Sequence, residues 1–214
     1  MSKTGALATG AIVLALAAGG AAHAANLVVD PEFNSPSGGA TFIDEADGTS
    51  FGGWTVTSGT VDLIGAYWQA PEAGGGSVDL DGISAGAITQ TLATGTGEYT
   101  LSFDLSGNPD GPPQVKSLAV LVGNVVKTFT YTIGGNTHAN MMYTPETFTF
   151  NASGPTTLTF ASLDQASSPF GPVIGDINVS AVPEPASWAL MLLGLGAMGG
   201  ALRSSRLRTS QIRA

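Results

Sequence analysis

A chain of 214 residues with 30 glycines, 12 prolines and only 11% charged residues has the composition of a turn-rich β protein of about one domain, not that of a helical or disordered one. The absence of cysteine excludes disulfides, thiol catalysis, thiolate zinc sites and iron–sulfur clusters. The net charge of −9 conceals a stronger imbalance, because residues 25–181 hold fifteen acids against Lys116 and Lys127; such a surface repels phosphate backbones, which argues against nucleic acid as a partner, and it is compatible with neutral glycans or divalent cations.

In chain order, the first 24 residues carry Lys3, an apolar stretch over 11–18 and the small-x-small pattern Ala22-His23-Ala24. They are predicted to be a secretory signal peptide that signal peptidase removes before Ala25, with a permanent anchor as the alternative. Period-two alternation then predicts strands over 54–57, 61–64, 77–80, 88–92, 99–105, 118–122, 125–131, 146–150, 157–163 and 173–179. Clusters of Gly, Pro, Asn and Asp separate them, with long loops at 107–113 and 134–140. Short strands with frequent turns and no helical period predict an all-β, two-sheet sandwich over 25–181.

After this domain comes Val182-Pro183-Glu184-Pro185, then an apolar run over 186–202, then Arg203, Arg206, Arg208 and Arg213. The prolines stop a preceding strand, and the run is about the minimum length for a transmembrane helix. With the arginine tail (203–214) held on the cytoplasmic side, the β domain faces outward from a membrane-anchored precursor. This arrangement closely resembles the PEP-CTERM sorting signal of Gram-negative bacteria. The resemblance implies that an exosortase-type membrane protease reads Val182, Pro183, Glu184 and Pro185 together with Arg203, Arg206 and Arg208. It also implies a destination in the cell envelope, on the outer surface or in the extracellular matrix, in association with exopolysaccharide or biofilm. An ordinary anchor that is never processed is the alternative.

The body carries a second resemblance, over about 26–180. Asn26-Leu-Val-Val-Asp-Pro-Glu-Phe33, Gly53-Trp54-Thr-Val, Val61-Asp-Leu-Ile-Gly65 with Trp68, Gly76-Ser-Val-Asp-Leu-Asp-Gly82, Gly86-Ala-Ile-Thr-Gln-Thr-Leu92 and Gly171-Pro-Val-Ile follow in order. The series resembles the choice-of-anchor C family. What it implies is a galactose-binding-like jelly roll, the fold of many carbohydrate-binding modules; the fold by itself implies no ligand.

Candidate ligand-binding residues are Tyr67, Trp68, Asn108 and Asp110. An indole face can carry the apolar face of a pyranose, so Trp68 reads either as an exposed stacking platform or as a buried rim residue, whereas Trp54 in an alternating strand belongs to the core. Asn108 and Asp110 read either as partners for sugar hydroxyls or as ordinary turn chemistry. Asp79 and Asp81, two apart in a predicted strand, could join Asp30, Glu32 or Asp176 in an oxygen cage for a structural calcium, or these acids simply solvate strand ends and turns. The family resemblance places such a calcium where the first and last strands meet, but Asn34 and Gly175 stand where related sequences often carry acids. His138 lies in a polar segment with no triad or metal-ligand spacing and reads as a solvated loop residue. The leading expectation is a non-catalytic envelope protein associated with exopolysaccharide. A self-associating structural protein is the alternative, and a polysaccharide-cleaving enzyme the third.

Overall fold

Alternating sequence gives each segment one buryable face, and the chain closes these faces on each other in two antiparallel sheets. The structure, a computed structural model, describes residues 24–34 and 41–183, with residues 191, 192, 194–196, 198 and 199 helical. All but the last residue of the expected signal peptide, and Glu184, Pro185, Arg203, Arg206 and Arg208 of the sorting segment, lie outside the described residues. So does most of the expected transmembrane run over 186–202. Among the described residues no helix is long and apolar enough to cross a membrane.

The strands are β1 (Phe42–Ala46), β2 (Ser50–Phe51), β3 (Trp54–Ser58), β4 (Thr60–Ile64), β5 (Ser77–Asp79), β6 (Ala87–Leu92), β7 (Thr96–Gly107), β8 (Val115–Val122), β9 (Val125–Thr132), β10 (Thr144–Ser153), β11 (Thr156–Ser162) and β12 (Pro172–Ala181). Strands β5 to β12 make a jelly roll. One sheet runs β5-β12-β7-β10, the other β6-β11-β8-β9, and the chain changes sheet at every connection except the β8–β9 hairpin. Strands β1 and β4 widen the first sheet beyond β5, and β2 and β3 widen the second beyond β6.

The ten expected strands are all present, and β1 and β2 are additions. Phe-Ile-Asp-Glu-Ala at β1 has two adjacent acids, poor strand formers that are tolerated because this is a half-exposed edge. The strand expected over 77–80 stops at Asp79, whose Oδ1 accepts a hydrogen bond from the Asp81 amide at 2.9 Å and turns the chain.

Inward side chains of both sheets fill the core. Its aromatic spine runs from Phe33 to Trp54 (5.7 Å between ring centroids), to Phe160 (6.0 Å), to Phe103 (5.2 Å) and to Phe129 (5.2 Å). Trp54 is fully buried, as its place in an alternating strand predicts.

The segment before β1 is tied to both sheets by two side-chain amides. Asn26 donates to the Ile177 carbonyl and accepts from the Val179 amide, while Gln90 on β6 accepts from the Val29 amide and donates to its carbonyl. A bulge in β12 between Gly175 and Asn178 permits this docking. There Asp176 takes φ +47°, Ile177 turns into the core, and the Ile177 amide donates to the Pro31 carbonyl. At the other end of β12, Val182 donates its amide to the Glu98 carbonyl, so the Val-Pro-Glu-Pro motif begins directly on the sheet.

Candidate ligand-binding cleft

Pairing fixes which side chains share the outer face of the first sheet. Phe42 lies opposite Ile64 and Ile64 opposite Ser77; one rung along, Asp44 faces Asp62 and Asp62 faces Asp79. The loop after β4 folds back over this face. Trp68 inserts against Ile64, Met141 and Val173 and donates its indole N–H to Ser77 Oγ at 2.9 Å. At 6% exposure Trp68 is buried, the second of its two readings, and contributes to the cleft as lining.

Burying Trp68 leaves its neighbour outside. Tyr67 is 36% exposed and is held from several sides. Its amide donates to the Thr41 carbonyl, its ring meets Phe42 edge-on at 5.4 Å and lies 4.6 Å from the His138 ring, and its hydroxyl donates to Asp110 Oδ2 at 3.0 Å. His138 Nε2 pairs with Asp110 Oδ1 at 2.7 Å. The loop histidine, expected to be merely solvated, thus belongs to the site. No sequence signal placed it there, because its partners lie in two other loops.

Asp110 is positioned from below. Asn108 Oδ1 accepts from the Asp110 amide at 2.9 Å, and Asn108 Nδ2 donates to Asp79 Oδ2 at 2.7 Å. Asp79 Oδ1 accepts in turn from the Gly171 amide at 3.0 Å. Asn108 is therefore a turn residue that orients Asp110, and Asp79 is the buried post on which three loops converge. Lys116, itself fully buried, joins the same loops by donating from Nζ to the Gly111 and Phe170 carbonyls. A β-carbon at Gly111 would run into the Phe170 ring, so only glycine lets this wall close.

The result is a cleft of about 140 Å³ lined by Phe42, Tyr67, Trp68, Phe170, Asp62 and Asp110, with Ile64, Asn108 and Pro169 completing it. All four expected ligand-binding residues line it, though only Tyr67 and Asp110 present free surface toward solvent. Phe42, Asp62, Pro169 and Phe170 were not legible as site residues, because pairing and loop closure alone bring them there.

Among the described residues the five acids of the expected calcium cage are not gathered into one group. Asp79 is filled by three donors, and Asp81 is buried at the base of the 163–171 loop near Asp164 and Lys116. Asp30 and Glu32 accept instead from the amide and side chain of Asn34. Asp176 sits on the bulge within electrostatic reach of Asp104. Among the described residues no group of three or more His, Asp or Glu side chains is arranged to hold a metal. Asp79 and Asp81 stay together, both carboxyls packing on Gly171, but Asp30, Glu32 and Asp176 have other neighbours and do not join them.

Burial raises the carboxyl pKa values here. Asp62 is pushed up to about 7 by burial and then by the Asp44 carboxylate opposite it. Asp79 is held well above the ordinary carboxylate range by burial, against the opposing pull of its hydrogen bonds from Asp81 and Asn108. Burial also pushes Asp81 up to about 6 and lowers Lys116.

Asp62 is protonated in both folded and unfolded chains below about pH 4, and it must ionise against Asp44 as the pH rises through about 7. Its contribution to stability is therefore present at low pH and lost across that window. Asp62→Asn is expected to match the parent near pH 4 and to exceed it by on the order of 1 kcal/mol at pH 8, read from thermal melts at both pH values. A stability difference that does not change with pH would remove the like-charge account.

Residues 181–206 match the PEP-CTERM protein-sorting motif. Halomucin of Haloquadratum walsbyi (strain DSM 16790 / HBSQ001) is 27% identical over 184 residues, which is 85% of this chain but 2% of that protein. The chain thus spans only a small fraction of this relative's length. Among solved structures, TmCBM61 in complex with beta-1,4-galactotriose superposes with a TM-score of 0.45 at 14% identity, covering 74% of this chain and 99% of that one. A family 35 carbohydrate binding module from Clostridium thermocellum gives a TM-score of 0.42 at 14% identity, covering 67% of this chain and 100% of that one. A CBM35 from Paenibacillus barcinonensis gives 0.41 at 20% identity, covering 65% and 99%. The chain therefore joins an antiparallel jelly-roll domain to a PEP-CTERM sorting motif.

Proposed function

We propose that the protein is a non-catalytic, exported binding module that associates with polysaccharide of the cell envelope or matrix through the Tyr67 cleft. One observation carries the reading: a partly exposed aromatic ring, fixed by Phe42, His138 and Asp110, stands at the rim of a cleft that also presents a carboxylate. A flat ring suits the apolar face of a sugar, and fixed polar groups beside it suit the hydroxyls. Because Tyr67 is pre-positioned, little ordering entropy opposes binding. The cleft is smaller than the roughly 300–1,000 Å³ of drug-sized pockets, which fits one or two sugar units and modest affinity. Many copies on one surface would compensate through effective concentration. The match at 181–206 supports export and processing by an exosortase-type protease.

The test is affinity electrophoresis of the protein through gels containing matrix polysaccharides. Retardation is expected for the parent, and Tyr67→Ala is expected to abolish it while shifting the melting temperature little, since the ring is at the surface. Equal retardation of parent and variant would remove Tyr67 from the site.

A second reading, self-association, has its own observation. The outer face of the second sheet carries the rung Ser50, Thr55, Thr89, Thr159, Leu121 and Val126 across all six strands, without a charge in an otherwise acidic domain. Sedimentation of the same samples separates the two, because oligomers without glycan retardation favour this face.

A further inference from the structure

We propose that the cleft selects glycans bearing a positively charged amino group, as in oligomers of unsubstituted glucosamine, over their neutral and uronic-acid counterparts. The inference rests on the carbohydrate reading above and adds the class of sugar.

The cleft combines two kinds of lining. Phe42, Tyr67 and Phe170 present aromatic rings, and Asp62 and Asp110 present carboxylates. Among the described residues no lysine or arginine lines it. Asp44 stands directly opposite Asp62 across β1 and β4, and their Oδ1 atoms approach the same point: a β-carbon at Gly82 would lie 2.8 Å from one and 3.1 Å from the other. Asp110 pairs with His138, whereas among the described residues no basic side chain pairs with Asp44 or Asp62, so these two face each other without a counter-charge. Lys116, whose field reaches the acids deeper in the same loops, directs its Nζ to the Gly111 and Phe170 carbonyls.

Asp62 at the wall of the cleft ionises only against burial and the facing Asp44 carboxylate, and an incoming cation offsets that cost. The same cation gains from the ring faces, whose quadrupoles are negative toward it. An ammonium on a sugar ring meets both demands at once, with the ring carbons over Tyr67 and the charge toward Asp62. A bare divalent ion is a poorer match, because calcium takes six to eight oxygens and would have to displace solvent beside three aromatic rings. A uronic acid would add a further carboxylate to a wall that already lacks a counter-charge. Since Asp62 is pushed up to about 7, an ammonium beside it draws the carboxyl toward its ionised form, just as the carboxylates draw the sugar amine toward its protonated form, so binding near neutral pH moves a proton from the acid toward the amine.

The experiment is isothermal titration of the purified full chain with three oligomers of equal length, of glucosamine, N-acetylglucosamine and glucuronic acid, at low salt and pH 6.5. The glucosamine oligomer is expected to bind at least about tenfold more tightly than its acetylated counterpart, with glucuronic acid weakest and the preference shrinking in salt. Asp62→Asn is expected to bring the ratio of the two glucosamine series to within about threefold, with Asp44→Asn as a second variant. Glu98→Gln, which removes a charge on β7 away from the cleft, is expected to leave the ratio intact. Equal or tighter binding of the acetylated oligomer overturns the proposal but leaves the carbohydrate reading standing. A ratio that falls as far in Glu98→Gln as in Asp62→Asn also overturns it, by assigning the preference to overall charge. Calcium chloride that binds alone and displaces the oligomer assigns the wall to a metal ion instead. Failure of all three oligomers to bind overturns the proposal, and with no matrix glycan bound either, the carbohydrate reading falls too.

Discussion

Asp79→Ala is expected to lower stability by about 3–5 kcal/mol and to abolish ligand binding, although Asp79 is fully buried and does not line the cleft. Its two oxygens accept from the Asp81 amide, the Gly171 amide and Asn108 Nδ2, so alanine leaves three buried donors without an acceptor. Each orphaned donor costs roughly 1–3 kcal/mol if water does not reach it. Against this stands the relief of removing a carboxyl whose burial already holds its pKa well above the ordinary range, which is why the net falls short of the simple sum. Asp79→Asn separates the two effects. It keeps an oxygen for the backbone amides but sets an NH₂ against Asn108 Nδ2. Asn108 then flips, losing its acceptor for the Asp110 amide, or loses its anchor. A cost of about 1–2 kcal/mol with a much larger fractional loss of binding is expected, read by urea unfolding and gel retardation. An Asp79→Ala variant within about 1 kcal/mol of the parent, with binding intact, would show that the loops do not depend on this post.

The route from sequence to this site was open for some residues and closed for others, for reasons of range. Alternation is a local property, so the strands of the sandwich were legible from residues such as Tyr99, Leu101, Phe103 and Leu105, whose inward side chains are all buried. Tyr67 and Asp110 stood out because an aromatic beside a Gly/Pro-rich loop and an acid in a turn are themselves local signals. Phe42, Asp62, His138 and Phe170 carry no such signal; they meet only because β1 pairs with β4 in one register and three loops close on Asp79. The same range limit explains the calcium expectation. A spacing of two does keep Asp79 and Asp81 together, both against Gly171, but no local signal says whether Asp30, Glu32 or Asp176, from distant segments, reach them, and they do not. For Trp68 the sequence left exposure undecided. Ser77 opposite Ile64 supplied the acceptor that lets the indole be buried, and with it passed the exposed role to Tyr67.

The other large effect belongs to the core. Trp54→Ala is expected to cost about 3–5 kcal/mol, a large part of the roughly 5–15 kcal/mol that holds a domain of this size together. The indole is fully buried with its ring against Phe33 and Phe160, the first from the segment before β1 and the second from β11. Removing it opens a cavity on one side of Phe160 and withdraws the surface on which Phe33 rests. Phe33 sits at φ +50°, a conformation unfavourable for a bulky side chain and maintained only by what surrounds it. The strain then has less to oppose it, so the segment over 26–33 is expected to lose hydrogen-exchange protection before the sheets do. Trp54→Phe, which keeps most of the packing, is expected to recover more than half of the loss. The denaturation midpoint should fall with its slope unchanged, and glycan retardation should persist in the fraction that remains folded. Trp54 belongs to the second sheet and packs between the two, whereas the cleft lies on the outer face of the first. Loss of binding in fully folded Trp54→Phe protein would contradict that separation.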